Sequence, residues 1–207
     1  MKLNALFATL LLATTTCASA TVLTFDSVAV SGCSDGAAYM AGFGITVTGA
    51  ASARICNSAP VGGAQAYSGS NLLLLDNPPP SNSTYTYFFT FTSPVANVSF
   101  VRTQINPDST GPAWTATALS ASSSVLTSTG EGTTFAPSAQ VFSLNANGIA
   151  SIRFDTDNTS ARTYNTPPID DLSFSSVPEP GTLPLTVMAI LGTVLWRRKT
   201  QSARDPR

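Results

Sequence analysis

The chain has 207 residues, which is enough for one domain with a hydrophobic core and further segments at its ends. Only 10% of the residues are charged, the net charge is −1, and there is no histidine. The lack of histidine excludes Ser-His-Asp and Cys-His catalytic sites and histidine-based zinc or iron sites. Low charge with abundant serine, threonine and glycine is typical of extracellular all-β proteins.

Residues 1–20 have the pattern of a secretory signal peptide. Lys2 precedes an apolar run, and small residues of the A-x-A type stand at positions 18–20. The run is apolar on all sides, whereas a first core helix would be amphipathic. We predict export through the Sec pathway with cleavage after Ala20. Cys17 suggests a lipoprotein signal as an alternative, but Thr14 stands where such a site usually carries leucine.

Residues 21–176 are predicted to form a single β-sandwich domain. Apolar and polar side chains alternate in several segments, as in Val98, Ser99 and Phe100, which places one strand face in a core and the other in water. Stretches rich in Pro, Asn and Gly separate the segments, among them the sequence NANG at 145–148. The predicted strands are residues 21–26, 43–49, 71–75, 84–91, 95–103, 113–119, 140–144, 149–155 and 169–174.

This pattern indicates an antiparallel two-sheet sandwich of the jelly-roll kind. No helical periodicity occurs in the region. One of the last two strands, 149–155 or 169–174, is expected to pair close to the first strand.

Cleavage after Ala20 would also remove Cys17 and leave two cysteines, Cys33 and Cys56. In an oxidising compartment these two most simply form one disulfide, and free thiols are the alternative. Residues 21–176 carry four arginines against nine acidic residues, a net charge of −5, and no lysine. Nucleic-acid binding therefore has no electrostatic basis in this chain.

The composition changes after Phe174. A polar linker with two prolines follows, and proline cannot donate a ladder hydrogen bond, so the sandwich is expected to end there. Residues 182–196 are uncharged and mostly apolar, and three cations come next, Arg197, Arg198 and Lys199. We predict a short transmembrane helix over 182–196 with a basic cytoplasmic tail over 197–207. A buried C-terminal helix is the alternative, but it would not be apolar on every side.

The C-terminal segment, residues 177–207, resembles the PEP-CTERM sorting signal of exported proteins from Gram-negative bacteria that make exopolysaccharide. The motif at 177–181 consists of Val177, Pro178, Glu179, Pro180 and Gly181. The helix and the basic cluster follow it in the order that this signal requires. The resemblance implies recognition and cleavage by an exosortase, a membrane-embedded protease. The protein would be anchored in the membrane for a time and would then reach the cell surface or the extracellular space.

Asp26 and Asp170 are candidate ligands of a structural Ca²⁺ ion, since they lie on or near the first and last predicted strands. A solvated carboxylate with a turn hydrogen bond is the alternative for Asp170. Asp171 points to the opposite strand face, so the adjacent pair cannot form a catalytic dyad. No other cofactor is expected.

Five aromatic side chains are candidates for stacking on sugar rings, and core packing explains them equally well. For Trp114 we favour the core. Glu131 is considered as the general acid of a glycosidase, but its glycine-flanked segment TGEGTT is interpreted as a flexible loop. The five aromatics are Tyr67, Tyr85, Tyr87, Trp114 and Tyr164.

The sequence therefore favours a non-catalytic, exported surface or matrix protein that an exosortase sorts and cleaves. The alternative is a jelly-roll carbohydrate-binding module whose partner is exopolysaccharide. A glycoside hydrolase is the third hypothesis, and it requires a pocket with two carboxylates roughly 5 to 9.5 Å apart.

Overall fold

The computed structural model describes residues 19–49, 52–57, 64–76, 83–105, 113–132, 138–158 and 166–177. All of them belong to one compact unit, Ser19–Val177. The predicted signal peptide up to residue 18 lies outside the described residues, and so do the sorting motif from residue 178, the helix over 182–196 and the basic tail. No helix in the described part of the chain is long and apolar enough to cross a membrane.

The described residues form twelve strands and one short helix, which confirms the all-β class. The elements are β1 (Ala20–Leu23), β2 (Cys33–Asp35), α1 (Gly36–Ala41), β3 (Ile45–Thr48), β4 (Ser52–Asn57), β5 (Ala64–Gln65), β6 (Asn71–Asp76), β7 (Ser83–Arg102), β8 (Gln104–Ile105), β9 (Ala113–Leu119), β10 (Val125–Glu131), β11 (Gln140–Asn158) and β12 (Ile169–Ser176).

Two long strands replace four of the predicted short ones. β7 continues through Pro94, and β11 continues through the NANG sequence that was predicted to be a turn. The two strands pair antiparallel along most of their length, with register shifts between Leu144 and Ser151. Such irregularities bend a strand without ending it, and Gly148 supplies a positive φ of 75° at this point.

The bend folds one ten-stranded sheet onto itself. The first half-sheet contains β10, β9, the second half of β11, the first half of β7, and β3. The second half-sheet contains the other halves of β11 and β7, then β12, which pairs with β1 and leads through β6 to β4 and β2. The two layers that were predicted as separate sheets therefore belong to one continuous ten-stranded sheet, and β5 and β8 form a separate two-stranded sheet. The jelly-roll strand order stays a prediction.

Aromatic side chains from both half-sheets meet in the core. Phe154 of β11 stacks on Tyr87 with ring centroids 4.8 Å apart, and it also lies 5.4 Å from Phe100 of the second half-sheet. Near the bend, the rings of Phe91 and Phe174 are 5.2 Å apart. Burial of such large rings, with their edge and face contacts, is the main favourable term that holds the two half-sheets together.

The two ends of the folded unit lie side by side. β1 pairs antiparallel with β12, so that Ala20 faces Ser175 and Leu23 faces Leu172. This pairing confirms that a late strand lies beside the first one. We call the end of the folded unit where β1 starts and β12 finishes the terminal end. The opposite end, which we call the far end, lies where β12 begins. It is roughly 23 Å away, because β12 has seven residue-to-residue steps of about 3.3 Å each.

A short helix and a disulfide support the segment between β1 and β4. The helix α1 is a correction, because no helix was predicted in this region. Asp35 caps it by accepting hydrogen bonds from the backbone N–H groups of Ala37 and Ala38 at 2.9 and 3.1 Å. Cys33 and Cys56 face each other on β2 and β4 and are joined by a disulfide.

Removal of this disulfide is expected to lower the free energy of unfolding by about 3 kcal/mol, because the bond closes a loop of moderate length in the unfolded chain. The test is urea denaturation of the purified chain and of a Cys33→Ala, Cys56→Ala variant. Reduction of the unmodified chain is the control and should shift the midpoint by a similar amount. Equal midpoints for the oxidised and reduced chains would contradict this expectation.

Candidate functional site

Two polar features lie at the far end of the unit, a loop over residues 66–70 and a cleft beside Glu131. The loop connects β5 to β6, and β5 pairs with β8 directly after the end of β7. The cleft lies where the first half-sheet ends, and an ion pair between Arg102 and Glu131 joins the two half-sheets there. Both features are therefore remote from the terminal end.

Carboxylates on β12 hold the first part of the loop. Asp170 is fully buried, and its Oδ2 accepts hydrogen bonds from the backbone N–H groups of Tyr67 and Ser68 at 2.9 and 3.0 Å. Its Oδ1 accepts from the N–H of Asp171 at 2.8 Å. The Ser68 hydroxyl donates to Asp171 Oδ1 at 2.7 Å. These hydrogen bonds fix the loop backbone to the start of β12.

A third carboxylate, that of Asp26, holds the second part of the loop. Asp26 Oδ1 accepts from the N–H groups of Ser70 and Asn71 at 2.8 and 3.1 Å. The Asn71 side-chain amide donates to the backbone oxygens of Phe25 and Val28 at 3.1 and 2.8 Å. We call residues 66–70 the pinned loop, because side chains from two distant segments fix its backbone at both ends.

Unusual backbone conformations surround the pinned loop. Phe25, next to Asp26, has a φ of 64°, and Asp171 has a φ of 44°. Gly69 has a φ of 51°, and a Cβ atom at this position would clash with the Asp26 carboxylate. Only glycine lets the Asp26 carboxylate lie against the loop at this point. Strained residues of this kind persist where surrounding contacts fix them, and they are frequent at binding sites.

Burial dominates the electrostatics of Asp170. It raises the pKa of this carboxyl to about 7, against the hydrogen bonds from Ser68, Asp171 and Tyr67, which lower it, while the charge of Asp171 raises it further. The alternative interpretation of Asp170 from the sequence was a solvated carboxylate. This interpretation is wrong, because the side chain is buried.

The residues predicted to bind calcium, Asp26 and Asp170, both contact the pinned loop, Asp170 near its start and Asp26 near its end. The oxygens that point to the loop already accept backbone N–H groups. Within the described ranges, no three His, Cys, Asp or Glu side chains are grouped as a metal site would need. The calcium site stays a prediction.

The cleft at the end of the first half-sheet has a volume of about 180 Å³. Strand register brings its residues together, since Trp114 faces Glu131 on β10 and Thr156 on β11. The cleft is lined by Thr84, Ala113, Trp114, Thr115, Glu131, Asp155, Thr156 and Asp157.

Glu131 closes the end of the sandwich. It lies on β10, a strand that the sequence reading took for a flexible loop. Its Oε1 and Oε2 accept from the buried guanidinium of Arg102 at 2.7 and 2.8 Å, and the Trp114 indole N–H donates to Oε2 at 3.1 Å. Asp155 likewise accepts hydrogen bonds from the Thr86 hydroxyl at 2.7 Å and from the Arg153 guanidinium at 2.8 Å. Both carboxylates are therefore held by contacts within the fold, and their ion pairs with Arg102 and Arg153 explain their positions.

The aromatic residues that were candidates for stacking on sugar rings differ in how far their side chains are exposed to solvent. Trp114 is 2% exposed, which confirms its place in the core, and Tyr87 is fully buried. Tyr85 is half-buried, and Tyr164 lies outside the described residues. Tyr67 is 58% exposed and lies on the pinned loop. Sequence reasoning could name Tyr67 as a candidate, but the hydrogen bonds that hold its backbone come from residues about a hundred positions away.

The sequence matches no protein-family model and no curated protein. Among solved structures, the K2 cleaved adhesin domain of Lys-gingipain (Kgp) is 14% identical, with a TM-score of 0.49 over 75% of this chain and 99% of that chain. The enzymatically active domain of tailspike protein 4 from bacteriophage CBA120 is 11% identical, with a TM-score of 0.37 over 75% of this chain. This chain spans only 20% of the tailspike chain.

Gly69→Ala is expected to lower the free energy of unfolding by about 2 to 4 kcal/mol, because the new methyl group displaces the Asp26 carboxylate and the residue must keep a positive φ. Urea denaturation measures the change. The matched control is Gly148→Ala, which also has a positive φ but no atom within 4 Å of the new Cβ. It should cost about 1 kcal/mol. Equal losses in the two variants would contradict the role given to Asp26.

The raised pKa of Asp170 predicts a pH-dependent stability. The stabilising contribution of this group is fully present below its unfolded pKa of about 4, and it is lost as the pH rises through the folded pKa of about 7. The loss is of order 2 to 4 kcal/mol. We expect the urea midpoint to fall between pH 4 and pH 8, and Asp170→Asn to flatten this slope.

Asp157→Asn, which changes an exposed carboxylate on β11, is the control and should keep the slope of the unmodified chain. An unchanged slope in the Asp170→Asn variant would show that another group governs the pH dependence.

Proposed function

We propose that this chain is a non-catalytic, exported surface or matrix protein, which an exosortase-like protease sorts and cleaves at residues 177–181. The observation that carries this proposal is the position at which the folded unit ends. β12 runs to Ser176, and the compact unit ends at Val177, the first residue of the proposed sorting motif. Cleavage at the motif would therefore leave every described strand of the sheet in place.

The start of the unit supports the same proposal. β1 begins at Ala20, the residue after which the signal peptide is expected to be cleaved. Cleavage there leaves Thr21, Val22 and Leu23 paired with β12. Processing at both ends would therefore leave the core strands and the aromatic cluster intact.

The disulfide is consistent with export. Proteins form and keep disulfides in oxidising compartments, and Cys33 and Cys56 form the disulfide of the described residues. The low charge and the absence of lysine between residues 21 and 176 agree with an extracellular setting.

In this proposal the two prolines keep the motif extended and clear of the last strand, so that a membrane protease can bind it. The apolar segment over 182–196 holds the precursor in the membrane, and Arg197, Arg198 and Lys199 keep the tail cytoplasmic. The chain ends of the folded unit are adjacent, so both attachments would leave from the terminal end.

Catalysis has no part in the proposal. Glu131, the residue considered as a general acid, has both carboxylate oxygens in contact with Arg102 and Trp114. A general acid must reach a leaving-group oxygen with a free carboxyl oxygen, and here Oε1 accepts from Arg102 while Oε2 accepts from both Arg102 and Trp114.

Intact-mass analysis of the chain from a host with an exosortase and from a host without it tests the proposal. In the competent host alone, we expect a species that begins at Thr21 and ends between Val177 and Gly181. Substitution of Pro178, Glu179 and Pro180 by alanine should abolish this species, because the motif is then lost.

Pro184→Ala, a proline outside the motif, is the matched control and should still be cleaved. A full-length C-terminus in both hosts would overturn the sorting proposal and make the tail a permanent anchor.

A further inference from the structure

We propose that the pinned loop is a carbohydrate-binding site in which the ring of Tyr67 stacks on a pyranose of a neutral polysaccharide. The inference concerns the folded unit alone and does not depend on how the C-terminal segment is processed. It goes beyond delivery to the cell surface, because it names a ligand class and the residue that contacts it.

The first support is the exposure of the Tyr67 ring. The ring is 58% exposed and contacts no other aromatic ring among the described residues, although its backbone is anchored to buried Asp170. Phe43, another exposed aromatic, packs on Tyr39 with ring centroids 5.1 Å apart. Tyr67 therefore keeps an open face, which is the surface that the C–H groups of a pyranose pack against.

The second support is the rigidity of the loop backbone. Four backbone N–H groups between Tyr67 and Asn71 donate to the carboxylates of Asp26 and Asp170. The Ser68 hydroxyl adds a contact to Asp171. Because side chains of the fold itself hold the loop backbone, binding does not have to order the loop, and the entropic cost of association falls.

The third support is the size and polarity of the surroundings. The neighbours of Tyr67 in the loop are Ala66, Ser68, Gly69 and Ser70, all of which are small. These residues place no large side chain next to the ring in the sequence, and the exposed Ser70 of the same loop carries a hydroxyl group. A protein partner would need roughly 800 Å² of complementary surface with an apolar centre, which one tyrosine among serines does not provide.

The negative charge of the domain favours an uncharged ligand over an anionic one. Residues 21–176 carry a net charge of −5, and the arginines Arg102 and Arg153 are engaged by Glu131 and Asp155. Asp26 and Asp171 place further carboxylates beside the loop. An anionic polysaccharide would be repelled by this field, whereas an uncharged one would not.

Native gel electrophoresis of the full chain in mild detergent tests the inference. Gels contain a neutral polysaccharide, namely dextran, mixed-linkage β-glucan, galactomannan or arabinogalactan, and parallel gels contain anionic alginate. We expect at least one neutral polysaccharide to retard the chain. Tyr67→Ala should weaken this retardation by roughly tenfold, the usual cost of losing a central aromatic anchor, and Tyr67→Phe should keep it.

Three controls separate the ring from the fold. Phe43→Ala changes another exposed aromatic and should bind normally. Gly69→Ala keeps the ring but displaces the loop and should bind weakly, whereas Gly148→Ala should bind normally. Unfolding midpoints of all variants establish that each of them is folded in the gel.

Two outcomes overturn the inference. Retardation of Tyr67→Ala equal to that of the unmodified chain would remove Tyr67 from the site. Retardation by alginate alone, or by none of the polysaccharides, would exclude a neutral glycan as the ligand. Neither outcome bears on cleavage of the C-terminal motif, which the mass measurement tests separately.

Discussion

The pairing of β7 with β11 is the interaction on which the rest of the domain depends. Each of these strands is more than twice as long as β12, the next longest described strand, and each belongs to both half-sheets. Their shared bend brings Phe100 against Trp114 and Phe154, so one core forms between two halves of the same sheet. The other strands add to the edges of this frame, and their positions follow from its register.

The frame also explains why the polar features gather at one end. The bend closes the sandwich beside the chain termini, whereas the opposite end is open and must be closed by side chains. The ion pair between Arg102 and Glu131 closes the gap between the two half-sheets. Asp26 and Asp170 hold the segment that leads into β6. Buried polar groups are costly unless they are hydrogen-bonded, and each of these carboxyl groups has a guanidinium or backbone N–H partner. The loop that results is held by the same contacts that close the domain.

Local patterns in the sequence predicted much of the strand content but not its continuity. The segment 113–119 was predicted with its correct bounds, because alternating side chains and flanking turn residues define it. NANG was predicted to separate two strands, and residues 92–94 were left between two others, yet both stretches lie at the bend of a longer strand. β10 was missed because its polar sequence has no apolar face. Asp26 and Asp170 were recognised as related, but their common partner is a distant loop that no local pattern connects to them.

The orientation of β12 has a mechanical consequence. This strand begins at the pinned loop and ends where the chain leaves the folded unit, and it lies between β7 on one side and β1 and β6 on the other. A pull between a ligand held at the loop and an attachment at the C-terminal end would act along the strand axis. The hydrogen bonds on both sides of β12 would then be loaded together, in shear, and would resist such a force far better than bonds that open one after another.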